Sequence, residues 1–192
     1  MKTKFKCVIL GDSYVGKTSI MNQYFTNVFK KNTETTLGAI FFSKKYITHN
    51  FAIDFWDTAG QERYRSLVPM YIRGANIILI VYDLNNRQSF ESITYWLKLI
   101  NINDNPHIII IGNKNDLEEK VLTEDINKLI NSNNLDFFHI KLSAKNNTNC
   151  EELKSKILEI GLILKKNIPI SYLTNLPIST SNNDVINKCC LY

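Results

Sequence analysis

The chain has 192 residues, of which 44% are hydrophobic and 21% charged, and this is enough to bury the core of one ordinary globular domain. Its net charge of +5 could suggest nucleic acid or an anionic membrane surface as a partner, but the basic residues are scattered rather than clustered in a stripe. This modest charge is weak evidence for either partner, and we expect no nucleic acid. The longest apolar candidate, Ile77–Tyr82, is far shorter than the ~20 residues that a membrane-spanning helix needs, and the first residues lack the apolar segment of a secretory signal. We therefore expect the protein to start in the cytosol.

Strands and helices are predicted to alternate along most of the chain, which is the pattern of a mostly parallel α/β sheet covered on both faces. Strands are predicted at Lys4–Leu10, Gly38–Thr48, Phe51–Asp57, Ile77–Tyr82, His107–Gly112 and Phe137–Lys141. Helices are predicted at Lys17–Phe25, Arg65–Tyr71, Gln88–Asn101, Thr123–Asn133 and Thr148–Lys165. The second and third strands are too close for a crossover helix, so they should form an antiparallel hairpin at one edge of a six-stranded sheet.

The composition changes after Lys166 to Asn, Ser, Thr, Ile and Pro, without helical periodicity. We predict one domain over residues 1–166 and a flexible tail over residues 167–192. The four cysteines are not spaced as a compact disulfide framework, so Cys7 and Cys150 are expected to be free thiols in or near the core.

The strongest motif lies between the first predicted strand and the first predicted helix, and it reads Gly11-Asp12-Ser13-Tyr14-Val15-Gly16-Lys17-Thr18. Its glycines let the backbone wrap phosphate groups, and N–H groups at the helix start supply positive partial charge. Lys17 should reach the β- and γ-phosphates, and the Thr18 hydroxyl should bind Mg²⁺. The alternative, an accidental pair of glycines, is disfavoured by Lys-Thr at this offset. This motif predicts a nucleotide site but does not separate ATP from GTP.

The separation comes from the segment Asn113-Lys114-Asn115-Asp116, directly after an apolar strand. A carboxylate accepts two hydrogen bonds at once, and guanine offers two adjacent donors where adenine offers none in that arrangement. Asp116 should therefore select guanine, because an unpaired buried carboxylate would reject the wrong base. Taken alone, such a run is more often a solvated turn. Backbone N–H groups of the segment Ser143-Ala144-Lys145 would lie near the guanine O6, which is supporting evidence only.

A third motif, Asp57-Thr58-Ala59-Gly60-Gln61-Glu62, ends the third predicted strand. Asp57 lies where a carboxylate can hold the outer coordination sphere of the metal, and the Gly60 N–H can face a γ-phosphate. Gln61 is placed to orient an attacking water, although by itself it could be an ordinary exposed loop amide.

These motifs in this order resemble the Ras superfamily of small GTPases, from about Lys4 to Lys166. The segments Trp56–Leu67 and Tyr71–Ala75 look like the Rab branch of vesicle-traffic regulators, and so does Thr36–Phe41. The pairing of Leu37-Gly38-Ala39 with Tyr64–Tyr71 looks most like its early-endosomal subgroup. The resemblance implies a P-loop small G domain that binds GTP and GDP with Mg²⁺ and hydrolyses GTP slowly.

By resemblance, Thr36 would coordinate Mg²⁺ and sense the γ-phosphate, Phe29 would lie edge-on to the guanine ring, and Lys114 would pack on the face of the base. The predicted nucleotide-binding set is Ser13, Tyr14, Val15, Gly16, Lys17, Thr18, Ser19, Phe29, Thr36, Gly60, Asn113, Lys114, Asp116, Ser143, Ala144 and Lys145. The predicted metal ligands are Thr18, Thr36 and, in the outer sphere, Asp57; the catalytic residues are Gln61 and Lys17. The effector surface would consist of Phe41, Trp56 and Tyr71, each of which could equally be a core residue.

The chain ends Lys188-Cys189-Cys190-Leu191-Tyr192, which resembles a Rab double-prenylation signal rather than a single-cysteine C-a-a-X box. One lipid chain anchors a protein to a membrane only marginally. Because the tail has no basic cluster to act as a second membrane-binding signal, we expect a lipid chain on each of the two cysteines. The resemblance implies a monomer on the cytosolic face of intracellular membranes, of which the endosomal membrane is expected, that cycles with the cytosol. Its expected partners are an exchange factor, a GTPase-activating protein, effectors and a prenyl-binding escort protein.

Two other classes of protein could use the same phosphate-binding loop. A metabolic enzyme such as a nucleotide kinase is disfavoured by Asp116 and Thr36. A non-hydrolysing nucleotide-binding module is disfavoured because it would not need Thr18, Thr36, Asp57 and Gln61 together.

Overall fold

The computed structural model describes residues 3–31, 34–133 and 137–168. Its six strands are β1 (Thr3–Leu10), β2 (Ala39–Tyr46), β3 (Phe51–Thr58), β4 (Ile77–Asp83), β5 (His107–Asn113) and β6 (Phe137–Lys141). Its α-helices are α1 (Lys17–Thr26), α2 (Val68–Ile72), α3 (Arg87–Glu91), α4 (Ile93–Lys98), α5 (Thr123–Asn133) and α6 (Cys150–Lys166). Short 3₁₀ turns occupy Ile47–His49, Glu62–Leu67 and Ile102–Asp104.

The strands form one sheet in the order β2-β3-β1-β4-β5-β6, in which β2 and β3 pair antiparallel and every other pair is parallel. The predicted six-stranded sheet with an antiparallel edge hairpin is thus confirmed. Asn50 closes the hairpin turn with a positive φ of 54°, a conformation that Asn tolerates better than most residues.

Two apolar cores lie on opposite faces of the sheet. Alternate residues of the strands, such as Ile9 and Ile53, pack against α1 and α6. The neighbouring residues, such as Val8 and Ile78, pack against the helices on the other face, where Trp96 is fully buried. All of β4 is buried, which explains why its sequence is a continuous apolar run rather than an alternating one.

The prediction of one helix over Gln88–Asn101 was wrong in its extent. The structure has two short helices joined at Ser92, whose hydroxyl donates to the carbonyl of Gln88, a contact that often bends helices. Beyond Lys98 the amides of Leu99 and Ile100 bond three residues back instead of four, so the last turn tightens and ends.

The predicted helix over Arg65–Tyr71 is also divided, into the 3₁₀ turn Glu62–Leu67 and α2. Pro69 lies in the first turn of α2, where a missing N–H costs no hydrogen bond. The predicted strand Gly38–Thr48 is shorter than expected because its end forms the 3₁₀ turn Ile47–His49.

Cys7 and Cys150 are buried free thiols, as predicted, and burial raises the pKa of Cys7 well above its usual range and that of Cys150 to about 11. Within the described residues no helix is long and apolar enough to cross a membrane. The predicted flexible tail, apart from Asn167 and Ile168, and the cysteine pair Cys189 and Cys190 lie outside the described residues.

Candidate nucleotide site

The loop between β1 and α1 is tight enough to require glycine at both ends. Gly11 and Gly16 have φ of +141° and +94°, which side chains rarely adopt. A Cβ on Gly11 would lie 2.2 Å from the carbonyl oxygen of Val81, and one on Gly16 would lie 2.3 Å from Nδ2 of Asn113. The loop therefore packs directly on β4 and on the predicted guanine-binding segment.

Lys17 is a buried cation at the start of α1. Its ammonium group donates to the carbonyls of Gly11 at 2.8 Å and Asp12 at 2.7 Å. Burial lowers its pKa to about 8, although the nearby carboxylates of Asp57 and Asp12 act in the opposite direction. A Cβ on Gly60 would lie 2.3 Å from this ammonium. Because Gly60 has no side chain, the segment after β3 can approach Lys17 closely. Among the described residues, the hydrogen-bond partners of this ammonium are these two neutral carbonyls, so the group is well suited to bind an anion.

Three oxygen-bearing side chains meet beside Lys17. The Thr18 hydroxyl donates to Oδ2 of Asp57 at 2.6 Å and lies 3.0 Å from the Thr36 hydroxyl. Asp57 is fully buried, and its Oδ1 has no hydrogen-bond partner among the described residues. Burial raises its pKa to about 6, opposed by the Thr18 hydrogen bond and the Lys17 charge. An unpartnered buried carboxylate oxygen beside two hydroxyls fits a hard cation such as Mg²⁺, which prefers oxygen ligands.

A pocket opens above these groups and connects the β1–α1 loop to the segment before β2. It includes six predicted nucleotide-binding residues of the loop and α1, together with Thr36 and Gly60. The complete lining is Ser13, Tyr14, Gly16, Lys17, Thr18, Ser19, Glu34, Thr35, Thr36, Thr58 and Gly60. Val15 is buried beneath the loop, where it belongs to the core instead of the lining. Phe29 is half-buried on the otherwise exposed segment after α1 and lies outside this lining.

The predicted guanine-binding residues form one network at the carboxyl end of β5. Asn113 donates from Nδ2 to the carbonyl of Val15 at 2.9 Å and accepts at Oδ1 from the Ala144 amide at 3.2 Å. Asp116 accepts from the Ser143 hydroxyl at 2.6 Å and pairs with Lys145 at 3.3 Å. Burial opposes ionisation of Asp116, but these bonds outweigh it and lower its pKa. The carboxylate is therefore charged and held in a fixed orientation.

Lys114 has a positive φ of 65°, and its ammonium pairs with Asp83 at 2.7 Å. Asp83 is the last residue of β4 and lies beside Asn113 in the sheet register. This pair connects the ends of the two central strands on the guanine side of the site.

Gln61 does not line the phosphate pocket. Its Oε1 accepts a hydrogen bond from Nε of Arg63 at 2.5 Å. The structure thus brings Lys17, Thr18, Thr36 and Asp57 together and leaves Gln61 at the edge of the site.

The three predicted effector-surface aromatics form one contiguous group. The Phe41 and Trp56 rings are 5.3 Å apart in an edge-to-face arrangement, and Trp56 and Tyr71 are 6.0 Å apart. All three side chains are half-buried, so each presents part of its ring at the surface.

Sequence reasoning missed a second function for the β1–α1 loop. Oδ1 of Asp12 accepts from the Trp96 indole at 3.2 Å and lies 3.5 Å from the Arg65 guanidinium, whose central carbon also lies 4.8 Å from the centre of the Tyr95 ring. Asp12 thereby connects the loop to α4 and to the 3₁₀ turn after β3. No local signal marks this contact, because Asp12, Arg65 and Trp96 are far apart in the sequence. The Asp83 pair was also missed, although a carboxylate at the carboxyl end of a buried strand is a usable signal.

The fold and this site define a P-loop nucleotide-binding domain whose base-binding loop carries a fixed carboxylate. A profile of the Ras family matches residues 6–161. The chain is 37% identical to the Ras-related protein RABF2b of Arabidopsis thaliana, over 96% of this chain and 94% of that protein. It is 36% identical to the Ras-related protein Rab-5A of Dictyostelium discoideum (97% and 96%) and 39% identical to Rab-5B of Plasmodium falciparum (81% and 76%).

The chain therefore belongs to the Ras family, as a Rab-type small GTPase. It binds GTP and GDP and hydrolyses GTP, and like other Rabs it works through regulators and effectors.

Proposed function

We propose that this protein is a Mg²⁺-dependent switch of endosomal membrane traffic, in which Thr36 and Asp57 connect the nucleotide state to the surface that effectors bind. The observation that carries the proposal is the approach of the Thr36 hydroxyl to within 3.0 Å of the Thr18 hydroxyl, beside the unpartnered Oδ1 of Asp57. Thr36 is three residues before β2, which carries Phe41 of the aromatic group. Loss of the γ-phosphate would release the segment around Thr36 and so alter the neighbouring surface.

Thr18 and Thr36 are the residues that would bind Mg²⁺ directly, and Asp57 would hold it through a bound water. When bound, Mg²⁺ neutralises charge on the β- and γ-phosphates. Lys17 would contact the same phosphates, and its buried position strengthens that attraction because the local dielectric is low.

Hydrolysis would proceed by in-line attack of water on the γ-phosphorus, with cleavage of its bond to the oxygen that bridges to the β-phosphate. Gln61 would orient the water after leaving Arg63. Arg65, the arginine of this segment nearest the loop, is held by Asp12, Tyr95 and Trp96, so we expect slow intrinsic turnover. An activating protein that supplies an arginine would accelerate it by roughly 10³–10⁵.

Base selection would depend on Asp116, whose oxygens would accept from the guanine N1–H and 2-amino groups. Ser143 and Lys145 fix that carboxylate, and Asn113 holds the base-binding segment against the phosphate-binding loop. Phe29 and Lys114 would contact the ring, the latter after reorienting from Asp83.

The endosomal assignment rests on likeness to proteins named Rab-5A and Rab-5B. Attachment would occur through prenyl groups on Cys189 and Cys190, with a prenyl-binding escort protein for the return to the cytosol. We further propose that the protein acts as a monomer.

The test is displacement of fluorescent mant-GDP from Mg²⁺-loaded protein by GTP, ATP or XTP, for wild type and Asp116→Asn. GTP should displace mant-GDP from wild type and ATP should not. In the variant, XTP should become the better competitor, since an amide both donates and accepts hydrogen bonds. Asp104→Asn, an exposed carboxylate on the turn after α4, is the matched control and should behave as wild type. Displacement of mant-GDP by ATP from wild type would contradict the proposal.

A further inference from the structure

The end of the domain opposite the nucleotide site has an apolar and basic surface beside the point where the tail begins. We call it the tail-exit face and define it by Lys44, Ile47, Leu162, Lys165 and Lys166. The β2–β3 turn meets the end of α6 there, because the Lys165 ammonium donates to the carbonyl of His49 at 2.6 Å. Both lie at the edge where the parallel strands begin, whereas the nucleotide-binding motifs lie at the edge where the strands end.

Two aliphatic side chains of this face are exposed to solvent. Ile47 at the tip of the hairpin turn is 74% exposed and Leu162 is 40% exposed. Leu162 and Lys166 are four residues apart on α6, so they lie on the same stripe of the helix.

The charge on this face is positive and largely uncompensated. The side chains of Lys44 and Lys166 are exposed, and no ion pair joins either to an acidic residue among residues 3–31, 34–133 and 137–168. Two carboxylates on neighbouring elements are already occupied. Asp54, opposite Ser43 in the sheet register, accepts from the Ser43 hydroxyl at 2.6 Å and lies 3.7 Å from Lys4, while Glu159 of α6 pairs with Lys156 at 2.9 Å. The last two turns of α6 contain no acidic residue.

The tail itself contributes no net charge, because its charged side chains after Lys166 are one Asp and one Lys. The net charge of +5 therefore belongs to the domain. Roughly 20 residues separate Ile168 from the cysteine pair, and a chain of that length can reach up to about 70 Å. A tether this long holds a domain near a bilayer without fixing its orientation.

We propose that the tail-exit face docks on an anionic lipid surface and so orients the domain on the membrane. This inference rests on the membrane attachment proposed above. The lysines are attracted to anionic headgroups, and Ile47 and Leu162 enter the boundary between headgroups and acyl chains. In this orientation the nucleotide site and its regulators face away from the bilayer.

The test uses the full-length chain without lipids, loaded with GDP, and therefore does not depend on prenylation. Its partition onto vesicles of phosphatidylcholine alone, or mixed with phosphatidylserine, is measured by sedimentation at low ionic strength. Wild type should prefer the phosphatidylserine vesicles, and the preference should weaken as salt is added. Lys44→Gln/Lys166→Gln should lower binding to these vesicles by roughly 25-fold, which corresponds to about fivefold per lysine near an anionic surface.

Two matched variants decide the interpretation. Lys44→Arg/Lys166→Arg keeps the charge and should bind as wild type. Lys120→Gln/Lys128→Gln removes the same charge from exposed positions elsewhere in the domain and should also bind as wild type. Equal wild-type binding to both kinds of vesicle, or an equal loss in both Gln variants, would overturn the proposal.

A separate arm tests the tether. Chain prenylated in vitro should stay on phosphatidylcholine vesicles, whereas Cys189→Ser/Cys190→Ser should not. If the prenylated chain does not stay on these vesicles, the proposed membrane attachment through the cysteine pair is wrong. The result for the unlipidated chain would still decide whether the tail-exit face binds anionic lipid.

Discussion

At the scale of single residues, the hydrogen bond between Gln61 and Arg63 bears most directly on turnover. Gln61 cannot orient a water at the γ-phosphate while Oε1 is held by Arg63 at 2.5 Å outside the pocket lining. We predict that Arg63→Ala raises the intrinsic hydrolysis rate roughly three- to tenfold, because an exposed hydrogen bond of this kind contributes about 1 kcal/mol. Single-turnover phosphate release measures this, and GDP affinity should not change.

The control for this prediction is the same substitution in a Gln61→Leu background. Gln61→Leu alone should slow hydrolysis by roughly 10²-fold or more, since a group that positions or activates the nucleophile is lost. Arg63→Ala should then have no further effect, because its partner is absent. An equal acceleration in both backgrounds would mean that Arg63 acts elsewhere, for example through the Tyr64 ring, which lies 5.1 Å from its guanidinium.

At the scale of secondary-structure elements, Gly161 sets how closely α6 approaches β3. A Cβ at this position would lie 2.6 Å from the Phe51 ring. Gly161→Ala should therefore destabilise the protein by about 1–3 kcal/mol, because overpacking outweighs the better helix propensity of Ala. Denaturant unfolding of the GDP-bound protein measures this. Ser155→Ala, on the exposed face of the same helix, should be neutral or slightly stabilising, and a stabilised Gly161→Ala would show that Phe51 moves freely.

A side-chain contact also connects β4 to β6 across the intervening strand β5. The Tyr82 hydroxyl of β4 lies 3.1 Å from Nε2 of His139 in β6, and Gly112 of β5 leaves room for this contact. Burial lowers the pKa of His139 to about 4, assisted by Lys141 and opposed by Glu119. The unfolded chain, with a pKa near 6.5, binds a proton that the folded chain resists, so stability should be lost as pH falls from about 6.5 to 4. The loss should reach roughly 2–3 kcal/mol.

The measurement is the free energy of unfolding against pH for wild type and His139→Gln, which keeps a hydrogen-bonding side chain without a titrating ring. Asp57 acts in the opposite direction over much of this range, since its raised pKa of about 6 removes stability as pH rises. The difference between the two proteins isolates His139. Parallel pH curves would refute its contribution.

Elements with strong local signals were predictable from the sequence. The bounds of α5 and β6 match the prediction to the residue, and the glycine-rich motif forms the loop between β1 and α1, as predicted. The break at Ser92 was not predictable, because it depends on a side-chain contact within the helix that periodicity does not register. Residues adjacent in a motif were found, whereas the contact between Asp12 and Trp96, 84 positions apart, depends on tertiary packing.

At the scale of the whole molecule, the site brings a buried ammonium and a buried carboxylate together from separate segments, so ligand binding and folding are coupled. Mg²⁺ with GDP binds only the folded state and should raise its stability by about 4 kcal/mol at a thousandfold excess over Kd. For a domain of this size, that corresponds to a rise in melting temperature of roughly 8–16 °C.

The part of that rise due to the metal should depend on the Thr18 hydroxyl, which contacts both Asp57 and Thr36. We predict that EDTA lowers the melting temperature of the GDP-bound wild type and speeds GDP release, and that Thr18→Ala shows little further response to EDTA. Thr26→Ala, at the other end of α1, removes a hydroxyl that donates only to the Asn22 carbonyl and should keep the full response. If Thr18→Ala responds to EDTA as strongly as wild type, Thr18 is not a metal ligand. In that case the conformation of the Thr36 segment would have to depend on the nucleotide through contacts other than a metal shared with Thr18.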